Sequence, residues 1–194
     1  MEDPEPKRPA GSSGGPGRVA SERVYTGRVI SLDVDTVRFP NGTVGELEMV
    51  RHSGASAVVP FLNDPGMDPE VLLIRQYRYA ADGYVYEIPA GRLDPGERPE
   101  ACAMRELREE TGYSARDFVP LTTIFTTPGF TDERIHLFLA RGLTKGESSP
   151  ETDEILDLAP MPLAGALGMI ESGEIQDAKT VIALLLAATF YRPE

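Results

Sequence analysis

The chain has 194 residues, of which 41% are hydrophobic and 26% charged, the composition of an ordinary globular domain with a small appendage. Its 31 acidic residues exceed its 19 basic residues, and the formal net charge of −12 disfavours binding to nucleic acid and to anionic membrane surfaces. The single cysteine, Cys102, excludes an intramolecular disulfide, so we interpret the protein as cytoplasmic.

The N-terminal part of the chain is predicted to form a tail and a small β module. Residues 1–20 are rich in Pro and Gly and offer little apolar surface, which predicts a disordered, flexible tail. Residues 21–52 alternate polar and apolar side chains on both sides of Asn41-Gly42, a dipeptide typical of tight hairpin turns. We therefore predict a small antiparallel β module there and one main domain over residues 53–194.

The main domain contains both predicted strands and predicted helices. Strands are expected at residues 55–62, 71–79, 84–89, 118–126, 134–141 and 155–161, and helices at 98–111, 163–172 and 178–191. The first helix follows Pro95-Gly96 and ends at Gly112. This order of elements predicts an α/β (α+β) fold, in which a mixed β-sheet is packed between helices.

One face of the first predicted helix carries three carboxylates. At about 100° per residue, Glu109 and Glu110 lie within about 60° of Glu106. The opposite side, which is expected to pack inward, carries Met104, Leu107 and Thr111. Glutamates four residues apart repel each other, so their clustering indicates a bound cation such as Mg²⁺, which prefers oxygen ligands. A solvated acidic helix face is the alternative at this point.

This helix belongs to a longer motif. Gly91 is followed after five residues by Glu97, after seven more by Arg105-Glu106, and then by Glu109-Glu110 and Gly112-Tyr113. Tyr113 fills a position that requires only an apolar residue, and the other seven, which are fixed identities, arise by chance at these spacings at a rate on the order of 10⁻⁹ to 10⁻⁸ per starting position. The pattern is a complete Nudix box, and the chain resembles the Nudix hydrolases over residues 22–192.

The resemblance implies an activity and a metal site. Nudix hydrolases cleave a nucleoside diphosphate linked to another moiety and use Mg²⁺ or Mn²⁺ held on the box helix. Carried over to this chain, Glu106 and Glu110 match the metal-binding glutamates, and Glu109 is a supporting or additional ligand. The backbone carbonyl of Ala90 matches a position that reaches a metal, and Arg105 matches the arginine that orients the carboxylates.

Flanking segments make the chain similar to the ADP-ribose pyrophosphatases within that family. These segments are residues 75–78, 87–91 and 128–133, with Pro128 sixteen residues after Gly112. The resemblance implies hydrolysis of ADP-ribose to AMP and ribose 5-phosphate, and a homodimer formed through the N-terminal β module. The candidate substrate-binding residues are Arg78, Glu87, Phe130 and Glu133. Arg78 is either a bidentate phosphate contact or a structural arginine on a strand, and Phe130 either stacks on the adenine or ribose or packs in the core.

The general base is expected outside the box, because the box glutamates are engaged with metal. Glu154 is the first candidate for this base and for a further metal ligand, and Glu151 and then Glu109 are the alternatives. Thr152 stands where related enzymes can place another glutamate, which is a departure from their pattern. Other activities stay open: hydrolysis of another nucleoside diphosphate sugar or of NADH, or a non-catalytic module that senses ADP-ribose.

Overall fold

The computed structural model describes residues 15–63, 69–146 and 156–190. These residues form two compact units. The small unit consists of residues 15–52 and 127–133, and the large unit consists of the other described residues. None of the helices in this part of the chain has the length and apolar character that a membrane crossing requires.

The small unit is a three-stranded antiparallel sheet in the order β1-β2-β3. Its strands are β1 (Gly17–Thr26), β2 (Ser31–Arg38) and β3 (Val44–Arg51). Because β1 begins at Gly17 and pairs with the end of β2, residues 17–20 are strand rather than the predicted tail. Residues 1–14 of that predicted tail lie outside the described residues.

The predicted hairpin joins β2 to β3, but its turn differs from the expected one. The connecting loop covers residues 39–43 and has a positive φ at Gly42 (85°) and not at Asn41. The Asn41 side chain instead accepts hydrogen bonds from the amide and the hydroxyl of Thr43, at 3.1 and 2.7 Å. The dipeptide therefore marks the turn correctly, although the turn is wider than a two-residue one.

Residues 127–133 belong to the small unit, although their sequence position lies within the predicted main domain. The Val50 N–H donates to the Phe130 carbonyl (2.8 Å), and the Val50 carbonyl accepts from the Asp132 N–H (3.3 Å). Arg51 donates to Asp132 (3.2 Å) and to Asp33 (2.9 Å). Long-range backbone pairing and one arginine thus fix this segment to β3, which a local sequence pattern does not reveal.

The large unit contains two sheets and three helices. A mixed sheet has the order β7-β4-β9-β8, and an antiparallel sheet has the order β10-β5-β6. The strands are β4 (Ala55–Pro60), β5 (Glu70–Arg78), β6 (Gly83–Glu87), β7 (Ala90–Arg92), β8 (Tyr113–Phe125), β9 (Arg134–Lys145) and β10 (Leu156–Pro162). The helices are α1 (Pro99–Thr111), α2 (Leu163–Ser172) and α3 (Ala178–Phe190). Sequence periodicity missed the short β7 and the first part of β8.

Helices cover both faces of the mixed sheet. Val58 and Val59 are adjacent on β4 and therefore point to opposite faces. Val59 packs in the larger apolar cluster, which includes Leu184 of α3, and Val58 packs in the smaller cluster with Leu107 of α1. The α+β class and a sheet packed between helices are confirmed, with the strands divided between two sheets.

Helix α1 starts and ends nearly where the sequence predicts, but its buried surface extends beyond the predicted face and leaves Met104 out. Gly112 ends it in the left-handed conformation (φ 76°), with its N–H donating to the Arg108 carbonyl. Leu107 is buried as expected, whereas Met104 is 42% exposed, and Glu106 and Glu110 are only 8% and 2% exposed. The expectation for Met104 was wrong because α1 also packs against β7, which covers the carboxylate face.

Candidate active site

The first carboxylate of the box helix lies directly on the backbone of β7. A Cβ atom at Gly91 would overlap the carboxyl group of Glu106, so only glycine leaves room for this side chain. Gly91 is held in place because it pairs with Ser56 of β4. The first glycine of the motif thus leaves the space that the Glu106 carboxylate occupies.

The second carboxylate is fixed one helical turn further on. The Ala90 N–H donates to Oε2 of Glu110 at 3.0 Å. Because Glu106 and Glu110 are four residues apart, both point toward the same short strand. Strand β7 therefore brings the backbone of Ala90 next to the two predicted metal-binding glutamates.

Arg105 connects this helix face to the preceding loop. Its Nε and Nη2 each donate to a carboxylate oxygen of Glu97 at 3.0 Å, which is a bidentate pair. Its Nη1 donates to Glu106 at 2.6 Å and to Glu109 at 3.2 Å. One guanidinium thus fixes the orientation of two of the three carboxylates that the sequence singles out.

The pair of Arg105 and Glu97 is charged at neutral pH. The hydrogen bonds from Arg105 lower the pKa of the Glu97 carboxyl to about 2, and the contact with Glu97 raises the pKa of Arg105. Glu97 also accepts a hydrogen bond from the Asp94 N–H (3.0 Å), which closes the loop before α1. Arg105 is therefore held from the loop side before any substrate arrives.

Cys102 lies at the base of this junction. Its side chain is fully buried, and its Sγ is 3.5 Å from the carbonyl oxygens of both Gly91 and Arg92. Burial raises the pKa of this thiol to about 12. Cys102 is thus a protonated packing residue of the helix and strand junction.

The predicted metal ligands form an all-oxygen donor set. Glu106, Glu109, Glu110 and the Ala90 carbonyl have the chemistry that a hard divalent cation prefers. In residues 15–63, 69–146 and 156–190, no three His, Cys, Asp or Glu side chains already converge in a metal-binding geometry. Arg105 lies between two of the glutamates and balances their charge. The donor chemistry therefore fits a divalent cation.

Two further predicted catalytic residues are not described. Glu151 and Glu154, the candidates for the general base outside the box, lie outside the described residues. Glu109, the third candidate, has a side chain that is 30% exposed. It is the most accessible of the three glutamates on the carboxylate face of α1, because Glu106 and Glu110 are buried.

A cavity of 580 Å³ in the large unit is lined by the predicted substrate-binding residues Arg78 and Glu87. Arg78 donates from Nε to Oε1 of Glu87 (2.7 Å) and from Nη2 to Oε2 (2.9 Å). Burial raises the pKa of Glu87, but hydrogen bonds and charges from Arg78 and Lys179 outweigh it, so that the net pKa is lowered. The Glu87 carboxylate is therefore ionised although it is only 3% exposed.

Sequence reasoning missed Lys179. Its ammonium contacts the Glu87 carboxylate across 92 residues of sequence and also lines the cavity. A cation in the first turn of a helix interacts unfavourably with the helix dipole. The position of Lys179 near the start of α3 is therefore the one sequence feature that indicates an acidic partner.

The other two predicted substrate-binding residues lie in the small unit. Phe130 is 52% exposed, and Oε1 of Glu133 is 3.2 Å from Nδ1 of His52. The four predicted residues are thus divided between the two units, with Arg78 and Glu87 in the large one.

The box helix carries carboxylates that are held against a strand, where a glycine leaves room for the first of them. They are oriented by an arginine that is itself anchored by a bidentate ion pair. This is the geometry of the Nudix box. The family model described as NUDIX domain matches residues 52–184. The chain belongs to the Nudix family and is a Nudix hydrolase. Nudix hydrolases generally need divalent cations, which agrees with the oxygen donor set.

Relatives place the chain more closely within the family. It is 41% identical over 168 residues to the ADP-ribose pyrophosphatase of Bacillus subtilis (strain 168), covering 86% of this chain and 89% of that protein. It is 42% identical, with the same coverage, to the methanol dehydrogenase activator of Bacillus methanolicus. A crystal structure of an ADP compounds hydrolase matches with a TM-score of 0.77 and 26% identity, covering 93% of this chain and 96% of that one.

Proposed function

We propose that the protein hydrolyses the diphosphate bond of ADP-ribose and releases AMP and ribose 5-phosphate. The junction of β7 with α1 carries this proposal, because Gly91, Ala90 and Arg105 together hold two buried carboxylates in a fixed orientation. Clustered carboxylates destabilise a helix, so their burial here favours a catalytic role over a structural one. The 41% identical ADP-ribose pyrophosphatase supports the choice of substrate.

Mg²⁺ is the proposed cofactor, with Mn²⁺ as the alternative. Glu106 and Glu110 would hold it, supplemented by Glu109, Glu154 and the Ala90 carbonyl. When bound, such a cation polarises the diphosphate and neutralises the charge that develops during attack by water. A glutamate carboxylate accepts the proton of that water, and Glu154 stays the first candidate, followed by Glu151 and Glu109.

Arg78 is the proposed contact for the diphosphate in the large unit. Among the described residues, its hydrogen bonds use Nε and Nη2 only, and they leave Nη1 for a phosphate oxygen. Its side chain is 43% exposed, and the cavity that it lines has the size of a small-molecule site. Glu87 fixes the guanidinium, and Phe130 and Glu133 stay predicted substrate contacts.

We further propose a homodimer formed through the β module at residues 21–52. Large apolar side chains of this module are exposed, among them Val24 (50%), Tyr25 (57%) and Val29 (48%). A three-stranded sheet with such a surface is stabilised when a second copy covers it. A cytoplasmic location is proposed because the single thiol suits a reducing compartment.

The test is a substrate panel scored by kcat/KM. ADP-ribose, GDP-mannose, NADH and diadenosine polyphosphates are each assayed with Mg²⁺, with Mn²⁺ and with EDTA, and the products are identified by mass spectrometry. We expect ADP-ribose to give the highest kcat/KM with either metal, and no turnover with EDTA. A higher kcat/KM for another compound would identify that compound, and not ADP-ribose, as the preferred substrate. Binding of ADP-ribose by calorimetry without turnover of any compound would identify a sensor.

A further inference from the structure

Glu87 is shared by two cations that come from different parts of the large unit. Arg78 lies at the end of β5, and Lys179 lies in the first turn of α3. Both contact the same oxygen, Oε2 of Glu87, Arg78 through Nη2 at 2.9 Å and Lys179 through Nζ. The exposed fractions differ: the Arg78 side chain is 43% exposed and the Lys179 side chain 11%. Both cations line the cavity, and the carboxylate is held by Arg78 on the more exposed side and by Lys179 on the more buried side.

The first turn of α3 is itself fixed to the strand that carries Glu87. Asp177 precedes the helix and accepts the Thr180 N–H at 3.0 Å, which is an N-cap contact, and its Oδ2 is also 3.0 Å from Nζ of Lys179. The Thr180 hydroxyl accepts the Ile88 N–H at 2.9 Å. The ammonium is therefore placed by a capped helix end that also binds the backbone next to Glu87.

Arg78 alone would hold Glu87 loosely. A buried carboxylate needs compensating donors, and a guanidinium that is nearly half exposed exchanges its contact for water at little cost. Loss of the Lys179 donor would let the Glu87 carboxylate move with Arg78 toward solvent. The orientation of Arg78 in the cavity therefore depends on the second donor to the Glu87 carboxylate, which is Lys179.

We infer that Lys179 is a positioning residue for Arg78: it fixes the Glu87 carboxylate, and this carboxylate directs the remaining N–H edge of Arg78 toward an anionic group of the substrate. Lys179 acts through Glu87 and does not contact the substrate. This inference rests on the proposed function in one respect, namely that Arg78 binds the diphosphate. The competing interpretation is direct attraction of the substrate by Lys179, because its side chain lines the same cavity.

A double-mutant cycle separates the two interpretations. Lys179→Met, Glu87→Gln and the combination are compared with wild type for KM, kcat and metal-free binding of ADP-ribose in EDTA by calorimetry. We expect Lys179→Met to raise KM and the dissociation constant about tenfold and to change kcat by less than about threefold. In the Glu87→Gln background the same substitution should change KM by less than about twofold, because its effect passes through Glu87.

Two further variants and the melting temperature complete the test. Lys179→Arg keeps the charge and should recover most of the wild-type KM, and Lys145→Met, at an exposed position at the end of β9, should leave all parameters unchanged. The combination of Lys179→Met with Glu87→Gln removes one charge of each sign and leaves no unpaired buried charge. It therefore provides a folded variant for the comparison if Lys179→Met alone has a low melting temperature.

Three results would overturn the inference. The first is an equal KM increase on Lys179→Met in the wild-type and Glu87→Gln backgrounds, which indicates direct attraction. The second is an unchanged KM in Lys179→Met. The third is a fall in kcat that tracks the melting temperature. Absence of ADP-ribose turnover by the wild type contradicts the proposed function instead. The cycle is then measured with the compound of the panel that the protein binds, and the coupling between Lys179 and Glu87 decides the inference separately.

Discussion

The two units of the chain are stabilised by different kinds of interaction. In the large unit, apolar side chains of strands and helices form two buried clusters. In the small unit, within residues 15–52 and 127–133, the buried residues are Asp33, Asp35 and Thr131, and Arg51 bridges the two aspartates. A sheet held by backbone pairing and ion pairs has little apolar stabilisation of its own. The comparison teaches that the large unit is suited to hold a rigid site, and the small unit to be covered by another surface.

The largest expected effect tests whether the large unit carries the chemistry. Glu110→Gln keeps an oxygen that accepts the Ala90 N–H but removes the charge, so kcat should fall by about 10³-fold or more while the melting temperature stays within about 2 °C of wild type. Steady-state kinetics and circular dichroism measure both. The matched control is Glu100→Gln in the first turn of the same helix, which should be silent. Near-normal turnover of Glu110→Gln would contradict the metal-ligand assignment.

The next effect tests the packing of the site on its core. Gly91→Ala places a methyl group where the Glu106 carboxylate lies, so the side chain must leave its position. We expect kcat/KM to fall by at least about 10²-fold, together with a lower melting temperature. Gly168→Ala in α2 is the control, because no atom lies within 4 Å of the added Cβ, and alanine there should stabilise the helix by about 0.5–1 kcal/mol. Equal kcat/KM and melting temperature of the Gly91→Ala and Gly168→Ala variants would show that the junction of β7 with α1 tolerates displacement of the Glu106 side chain.

A third prediction tests whether the small unit needs a partner surface. Val24→Glu places a charge among the exposed apolar side chains of β1, and we expect the dimer dissociation constant to rise about 100-fold in sedimentation equilibrium. The control is Leu185→Glu on α3, an equally exposed apolar position of the large unit, which should leave the dimer intact. A Val24→Glu variant with wild-type association, or a wild-type monomer, would contradict the proposed dimer.

The smallest effect concerns acid. Hydrogen bonds from Arg23 and then from Arg51 lower the pKa of Asp33 from its ordinary 3.8 to about 2. A lowered pKa means that this carboxylate stabilises the fold above pH about 4 and that the contribution is lost as the pH falls toward about 2. Amide NMR signals of β1 to β3 should therefore weaken before those of β4 and β9, and Asp33→Asn should weaken them already at neutral pH. Simultaneous loss in both units would remove the distinction between them.

Local patterns predicted most of the fold and of the box. Alternation, turn dipeptides and helix formers are short-range properties, so the β2–β3 hairpin, α1 and the two C-terminal helices were predicted to within a few residues. The motif spacing likewise brought Glu106, Glu110 and Arg105 together, because a helix converts sequence spacing into a shared face. The division into two sheets was not predictable, since pairing partners are set by distant segments.

The parts that sequence reasoning missed depend on contacts between distant residues. Met104 was expected inside because only the carboxylate face was assumed to meet solvent, whereas β7, a strand of three residues, covers that face. Lys179 joins Glu87 only because α3 docks beside the end of β6. Residues 127–133 likewise join the small unit through pairing with Val50. Each case is a tertiary contact that overrides a local pattern.

The buried thiol at the base of the active-site junction has a consequence for chemical reactivity. Because burial raises the pKa of Cys102 to about 12, the thiol is protonated at pH 7, and its sulfur is packed against the backbone carbonyls of Gly91 and Arg92. The thiolate is the form that alkylating agents and peroxides attack. We therefore expect the thiol of Cys102, one turn before Glu106, to react only slowly with iodoacetamide and hydrogen peroxide, which would leave the box helix unmodified at this position.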